Sequence, residues 1–229
     1  MIAVAIDGPA GAGKSTIARK IAKELGFIYV DTGALYRAVG LSMLRRKVNL
    51  DVPEEICKNL EGLQIALQFV QGEQRVILCG DDVTGDIRTA EVSMAASTVS
   101  AVPQVRSFLF SLQKEIAEKN HVIMDGRDIG TVVLPNAQVK IFLTASIEER
   151  AKRRYLEMVE KGQKGSYEEV LADMKVRDYN DSHRKTAPLK PAQDAVLVDT
   201  TGYTLEESVE HMVQIIREKI KGEPNQILK

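Results

Sequence analysis

The stretch that decides the fold is Gly8-Pro9-Ala10-Gly11-Ala12-Gly13-Lys14-Ser15, which matches the pattern GxxxxGK[ST]. It follows an apolar run at residues 2–6 and precedes a segment, 14–25, whose apolar side chains repeat every four residues. In a strand–loop–helix unit of this kind, main-chain N–H groups surround a phosphate and the helix start adds a positive dipole end. Lys14 is expected to reach the β- and γ-phosphates of a nucleotide, and Ser15 to ligate Mg²⁺. The alternative is a glycine-rich turn that only caps a helix.

The alternation of strand and helix continues along the chain. Four further short apolar runs, separated by helical patterns, are typical of strands: residues 27–30, 122–124, 139–143 and 195–198. This pattern predicts an α/β fold in which a five-stranded parallel sheet carries helices on both faces, giving three layers around the phosphate loop.

About 90 residues separate the second and third of these strands, which is far more than one crossover requires. A hairpin is predicted at residues 63–70 and 75–78, with a possible third strand at 82–87. Helices are predicted at residues 34–46, 53–60, 89–100 and 103–119. We expect one domain over residues 1–229, and residues 222–229 are expected to fray. Its predicted parts are a core at about 1–40, 90–152 and 166–229, a small antiparallel insert at about 41–89, and a short lid at about 153–165.

Composition excludes several classes of protein. The 229 residues carry 31 Lys+Arg and 32 Asp+Glu, and a net charge of -1 argues against binding to a nucleic-acid polymer. No apolar run approaches the length of a membrane span, and the first residues lack the features of a signal peptide. Cys57 and Cys79 match no metal or redox spacing, and the three histidines are scattered, so no structural metal is expected. We expect a monomer in the cytoplasm.

Other nucleotide-binding classes fit less well. A guanine-reading NKxD element is missing, and the DxxG match at residues 82–85 falls in the insert. An LSGGQ-like transporter signature is missing as well. Phosphoryl transfer to a small molecule is therefore the favoured chemistry.

Charged clusters after the strands indicate where an acceptor would bind. They are residues 31–37 (DTGALYR), residues 125–131 (DGRDIGT), and Arg177, Asp181 and Arg184 on one predicted helix face that Ser166 and Glu169 begin as a capping box. Asp125, at the end of a strand, is expected to hold the metal through water. The alternatives are a structural aspartate, solvated arginines and an exposed ion pair.

A second basic group, Arg150, Arg153 and Arg154, precedes a glycine-containing segment at residues 161–165. A flap that carries arginines can close over phosphates and exclude water, so this segment is a candidate hinge. The alternative is a solvated helix face.

Taken together and in order, the chain's motifs resemble bacterial cytidylate kinases. These motifs are GPAGAGKST, DTGALYR, IRTAEV, MAAS, the pair Val105-Arg106, DGRDIGTVV, KIFLTAS and RDxxDxxR followed by AP. The resemblance covers nearly the whole chain. It implies the fold of the nucleoside monophosphate kinases, with a monophosphate-binding insert and a short lid.

The resemblance also implies roles for individual residues. For the CMP phosphate these are Thr32, Arg37, Arg127 and Arg184; for cytosine, Ser97, Arg106 and Asp128; for the pentose, Asp181 supported by Arg177. ATP would be held by Gly8, Pro9, Ala10, Gly11, Ala12, Gly13, Lys14, Ser15, Thr16 and Arg153. The catalytic residues would be Lys14, Arg127, Arg177 and Arg184, and the metal would be held by Ser15 and, through water, by Asp125.

The expected reaction is transfer of the γ-phosphate of ATP to CMP or dCMP, giving CDP or dCDP and ADP. A carboxylate at residue 128 suits the N4 amino group of cytosine, whereas uracil would place a carbonyl there. Two alternatives are an adenylate- or shikimate-type kinase and a non-catalytic nucleotide-dependent regulatory protein.

Overall fold

The structure is a computed structural model, and it describes residues 1–160 and 162–221. The strands are β1 (Ala3–Asp7), β2 (Ile28–Asp31), β3 (Ile65–Val70), β4 (Glu73–Leu78), β5 (Asp81–Asp82), β6 (Val122–Gly126), β7 (Val139–Thr144) and β8 (Val196–Asp199). The helices are α1 (Lys14–Leu25), α2 (Thr32–Arg45), α3 (Pro53–Lys58), α4 (Ala90–Ser100), α5 (Pro103–Lys119), α6 (Ile147–Glu160), α7 (Tyr167–His183) and α8 (Leu205–Lys221). The expected fraying at 222–229, and part of the candidate hinge at 161–165, lie outside the described residues.

The predicted parallel sheet is confirmed. Its five strands run in the order β2-β6-β1-β7-β8, so β1 lies in the middle with the phosphate loop at its carboxyl end. Alternate residues of β1 face opposite layers, as the pleat requires. Val4 and Ile6 pack with apolar residues of α1 and α8, whereas Ala5 packs on the other face with residues of β6.

The insert forms its own antiparallel sheet, in the order β3-β4-β5. The predicted hairpin is confirmed, with Phe69 opposite Gln74 in its register. The possible third strand at 82–87 is wrong for most of its length, because β5 has only two residues and a 3₁₀ turn follows at Asp86–Arg88. The side chain of Asp82 accepts a hydrogen bond from the N–H of Thr84, which turns the chain and brings Ile87 into the core.

Helix ends follow local capping chemistry. Helix α2 begins two residues before its predicted start, because the side chain of Asp31 accepts the N–H of Ala34 as an N-cap. The predicted capping box of Ser166 and Glu169 is present at the start of α7. The boundary drawn at residue 40 lies inside α2, and residues 153–160 of the predicted lid are the last turns of α6. The division into core, insert and lid otherwise stays a prediction.

None of the helices in the described ranges has both the length and the apolar character needed to cross a membrane.

Candidate active site

The glycine-rich loop has a backbone that other residues resist. Gly11 and Gly13 have φ of 72° and 82°, and a Cβ on Gly8 would lie 1.9 Å from the carbonyl oxygen of Leu143. Helix α1 starts at Lys14 directly after Gly13, which has no side chain to occupy the first N–H groups. The helix start therefore presents main-chain donors to an anion, as predicted.

The ammonium group of Lys14 is buried at the same loop. Its Nζ donates to the carbonyl oxygen of Pro9 at 2.7 Å, and the residue is 6% exposed. Burial lowers the pKa of Lys14, and the positive charge of Arg127 lowers it further. A bound phosphate would act to raise this pKa, because it adds negative charge beside the ammonium group.

A hydrogen-bonded group joins the loop to the end of β6. The hydroxyl of Ser15 donates to Oδ2 of Asp125 at 2.9 Å, and the hydroxyl of Tyr29 donates to Oδ1, also at 2.9 Å. Burial raises the pKa of Asp125, and the nearby carboxylate of Asp31 adds to the rise. Hydroxyl and carboxylate oxygens are the ligand type that Mg²⁺ prefers, so Ser15 and Asp125 fit the metal that the sequence implies. Within the described ranges, no three His, Cys, Asp or Glu side chains lie close enough together to hold a metal alone.

The segment after β2 brings the first predicted acceptor cluster together. Arg37 Nη2 donates to Oδ2 of Asp31 at 2.7 Å, and its Nε has no hydrogen-bond partner among the residues described. The hydroxyl of Thr32 donates to the main-chain carbonyl of Asp125 at 2.8 Å. The hydroxyl of Thr32 is therefore tied to β6, while Arg37 keeps a donor without a partner among the residues described.

The DGRD loop holds two charge pairs. Asp128 is 4% exposed and accepts from Arg106, and a second arginine, Arg184, lies 3.4 Å from its Oδ1. Arg127 Nε donates to Oδ2 of Asp181 at 2.8 Å. Burial raises the pKa of Asp128, against the influence of the arginines. The pKa of Asp181 is lowered: burial acts to raise it, but Arg127, with Arg177 and Arg184, outweighs that effect.

Arg177 carries its charge at a cost. Burial lowers its pKa to about 10, and the charge of Arg127 contributes. Its Nε has no hydrogen-bond partner within the described part of the chain. The charges of Arg127 and Arg177 both act to lower the pKa of Lys14, so all three cations lie near the phosphate loop. Such a cluster is suited to several phosphate groups.

Two details of the predicted third cluster are wrong. Helix α7 ends at His183, so Arg184 is not on the helix face with Arg177 and Asp181; it follows in an extended conformation, φ -63° and ψ 141°. Its Nε donates to the carbonyl of Ala187, which turns the guanidinium toward Asp128. The hydrogen-bond partner of Asp181 is Arg127 from a distant loop.

The remaining predicted residues lie at the edges of the site. Ser97, on α4, is half-buried, and its carbonyl accepts from the hydroxyl of Ser100, which in turn lies 3.4 Å from Arg184. Arg153 pairs with Glu149 and has Nη1 3.8 Å from where a Cβ on Gly13 would be. Thr16 is exposed on the first turn of α1.

Sequence reasoning missed several residues that hold the site. Asp7 accepts the N–H groups of Ile129 and Gly130, both at 2.7 Å. Tyr29 donates to Asp125 near the end of β6, and Gln74 accepts the N–H of Asp31 at the end of β2. The sequence contains one signal for Asp7, namely its position at the end of a predicted strand directly before the phosphate loop. No sequence signal points to Tyr29 or Gln74.

The solvated-face alternative for the second basic group is wrong at Arg150, which is 5% exposed. Its guanidinium donates to the carbonyls of Ala145 and Ala10, each at 2.9 Å, and to Asp178 at 2.7 Å. Arg154, in contrast, is exposed.

Comparison with known proteins agrees with this geometry. A family model described as cytidylate kinase matches residues 4–218. This chain belongs to the cytidylate kinase family. A cytidylate kinase of Caldanaerobacter subterraneus subsp. tengcongensis is 53% identical over 97% of each chain. A second, from Caldicellulosiruptor saccharolyticus, is 49% identical over 97% of this chain and 98% of its own. Membership in the cytidylate kinase family therefore extends over almost the entire length.

One solved structure supports the fold alone. An uncharacterized protein from Eubacterium ventriosum superposes with a TM-score of 0.53 at 12% identity, covering 95% of this chain and 99% of that one.

Proposed function

We propose that this protein transfers the γ-phosphate of ATP to CMP or dCMP, producing ADP and CDP or dCDP. The observation that carries the proposal is that the segment with Asp128, which is paired with Arg106 and Arg184, is hydrogen-bonded to Asp7 directly before the phosphate loop. A carboxylate held between guanidinium groups suits a base with an amino donor and neighbouring acceptors. Cytosine presents N4–H₂ beside N3 and O2, whereas uracil presents a carbonyl in place of the amino group.

In this proposal each group acts by position and charge. The loop from Gly8 to Thr16 would hold the donor phosphates with Arg153 beside it, and Lys14 would stabilise charge on the transferred group. Arg37, with Thr32, would orient the CMP phosphate, and Arg127 and Arg184 would contact it from the other side. Arg177 would offset charge between the two nucleotides. No protein base is required, because the acceptor is itself a phosphate oxygen.

Specificity would come from the buried pair Asp128 and Arg106, with Ser97 at the edge. Asp128 would accept from N4 of cytosine, and Arg106 would donate to N3 and O2. Asp181 would contact the pentose. Arg127, which donates to Asp181, would also contact the CMP phosphate. Mg²⁺ would be held by Ser15 and, through water, by Asp125, where it neutralises phosphate charge.

The proposal includes the setting expected from the sequence. The protein would act in the cytoplasm as a monomer, with the two nucleotides as its partners and without a nucleic-acid polymer or a membrane.

The test is ADP release measured with CMP, dCMP, UMP, AMP and shikimate as acceptors. A mismatched buried polar pair costs about 1–3 kcal/mol, so CMP and dCMP are expected to exceed UMP at least about fivefold in kcat/KM. Equal turnover of UMP would contradict the role of Asp128. Nucleotide binding without any acceptor-dependent turnover would contradict the kinase assignment.

A further inference from the structure

The side chain of Gln74 bonds both main-chain polar groups of Asp31. Its Oε1 accepts the N–H of Asp31 at 2.9 Å, and its Nε2 donates to the carbonyl oxygen of Asp31 at 3.3 Å. In an extended strand the N–H and C=O of one residue point to the same side. Strand β2 is the edge of the five-stranded sheet and pairs on its inner side with β6. The side-chain amide of Gln74 therefore makes with Asp31 the two main-chain hydrogen bonds that a neighbouring strand would make.

Asp31 controls the geometry of Arg37. Its Oδ1 accepts the N–H of Ala34 at 3.0 Å and so begins α2, and its Oδ2 accepts from Arg37 at 2.7 Å. Packing here leaves little slack, since a Cβ on Gly33 would lie 3.1 Å from both Asp31 Oδ1 and Arg37 Nη1. A shift of the Asp31 backbone would consequently move both the start of the helix and the guanidinium.

Gln74 belongs to the insert, whereas Asp31 and Arg37 belong to the core. Gln74 lies on β4 opposite Phe69 of β3, and Phe69 packs against the core cluster that contains Val30. The same hairpin thus contributes an apolar contact to the sheet and a two-point hydrogen bond to its edge strand. Docking of the insert and placement of Arg37 are joined through one side chain.

We propose that Gln74 is a positioning residue that sets Arg37 for the acceptor phosphate. This inference rests on the proposed function, in which Arg37 binds the phosphate of CMP. Gln74 touches neither substrate; it holds the backbone of Asp31, and Asp31 orients Arg37.

The test compares Gln74→Ala and Gln74→Glu with Gln68→Ala, an exposed glutamine on β3. Because each neutral hydrogen bond contributes about 1 kcal/mol, Gln74→Ala is expected to raise the KM for CMP about tenfold while the KM for ATP stays within about twofold. Gln74→Glu would place a carboxylate oxygen against the carbonyl oxygen of Asp31, so its KM for CMP should rise at least as much as that of Gln74→Ala. Gln68→Ala should match the wild type.

A second measurement separates positioning from general damage to the insert. Calorimetric binding of CMP and of cytidine reports the contribution of the phosphate, and the ratio of the two affinities should fall about tenfold in Gln74→Ala. If the affinities for CMP and cytidine fall together, or if the KM values for CMP and ATP rise together, the inference is wrong. An unchanged KM for CMP in Gln74→Ala also overturns it. Failure of the proposed function is a different result, because there the wild type itself would not phosphorylate CMP.

Discussion

Asp128 is the side chain to which the proposed function assigns acceptor choice. It is almost fully buried and is the shared partner of Arg106 and Arg184, one from α5 and one from the segment after α7. Tyr36 lies under Arg106, with the guanidinium carbon 5.6 Å from the ring centroid. The ring and the carboxylate together restrict the position of the Arg106 guanidinium.

Replacement of Asp128 by Asn keeps the shape and removes the charge. We expect the KM for CMP to rise about 100-fold, because the buried arginines lose their carboxylate and cytosine loses a charged acceptor. The KM for ATP should change by no more than about threefold, as measured in the ADP-release assay. Asp173→Asn, on the exposed side of α7, is the matched control. A proportional rise in both KM values would show that Asp128 acts on the whole fold.

Asp7 links the two nucleotide loops. It ends β1 directly before Gly8, and its carboxylate accepts the N–H groups of Ile129 and Gly130, which follow Asp128. Burial raises the pKa of Asp7 to about 6, although both backbone hydrogen bonds act to lower it. The carboxylate form is therefore less favourable in the folded protein than in the unfolded chain.

The sign of the pH effect follows from that shift. Because the folded-state pKa lies above the ordinary value of 3.8, the contribution of Asp7 to stability is fully present below about pH 4 and is lost as pH rises through about 6. Asp7→Asn cannot titrate, and its amide N–H₂ would face one of the two backbone donors, at a cost of about 1–3 kcal/mol. The gap in unfolding free energy between wild type and Asp7→Asn should narrow between pH 4 and pH 7 in urea denaturation. A gap that is constant over this range would contradict the raised pKa.

Helices α6 and α7 meet above the phosphate loop. Arg150 of α6 bonds Ala10 of the loop and Asp178 of α7, and Met174 of α7 lies 2.8 Å from where a Cβ on Gly11 would be. These contacts cover the tip of the loop from one side. The two helices that flank the predicted hinge are thereby tied to the residues expected to hold ATP.

Arg150→Lys tests whether this tie acts on the donor nucleotide. A single ammonium group cannot reach three acceptors in the fixed directions of a guanidinium, so we expect a loss of about 2–4 kcal/mol in unfolding free energy. The KM for ATP should rise about tenfold and more than the KM for CMP. Lys152→Ala, exposed on the same helix, is the control. If Arg150→Lys is less stable but has an unchanged KM for ATP, Arg150 stabilises the contact between the two helices and does not act on the donor nucleotide.

The molecule as a whole is nearly neutral, and its candidate site concentrates both cations and carboxylates. The net charge of the whole sequence is -1. Several cations nevertheless lie near one another around the phosphate loop, among them Lys14, Arg127 and Arg177. Burial and the repulsion of neighbouring cations lower the pKa of Lys14 and of Arg177 and so disfavour their charged forms. Phosphate groups would relieve this strain, so ligand binding and folding stability are coupled in this fold.

Arg177→Met should reveal that coupling. It removes a buried charge that lacks a partner at Nε within the described residues, and we expect the free protein to gain about 1 kcal/mol in unfolding free energy. Turnover should fall about 1,000-fold, because charge on the transferred group is no longer offset. Melting temperatures with and without CMP plus a non-hydrolysable ATP analogue measure the effect: the ligand-induced increase should be smaller than in the wild type. Lys175→Met, exposed on α7, controls for loss of charge, and a less stable Arg177→Met would refute the expectation.

The sequence by itself determined the features that depend on local interactions along the chain. The glycines of the phosphate loop, the capping box at Ser166 and the alternation of strands with helices each depend on interactions within a few residues. A backbone φ that only glycine adopts easily, or an N–H that needs a cap, is decided by neighbours in the chain. For that reason the loop, the five strands and most helices could be predicted. The prediction of a strand at 82–87 was wrong because a hydrogen bond to the Asp82 side chain turns the chain there. The apolar pattern of the sequence does not reveal that turn.

The tertiary structure alone decided which distant polar and charged groups form hydrogen bonds with one another. Asp7 meets Ile129 across 122 positions, Ser15 meets Asp125 across 110, and Arg127 meets Asp181 across 54. The sheet order, which places β1 between β6 and β7, brings these carboxyl-terminal edges together, and no short-range signal specifies which carboxylate meets which cation. A buried charge takes whichever partner the packed elements bring within hydrogen-bond distance, and that distance is a property of the whole fold.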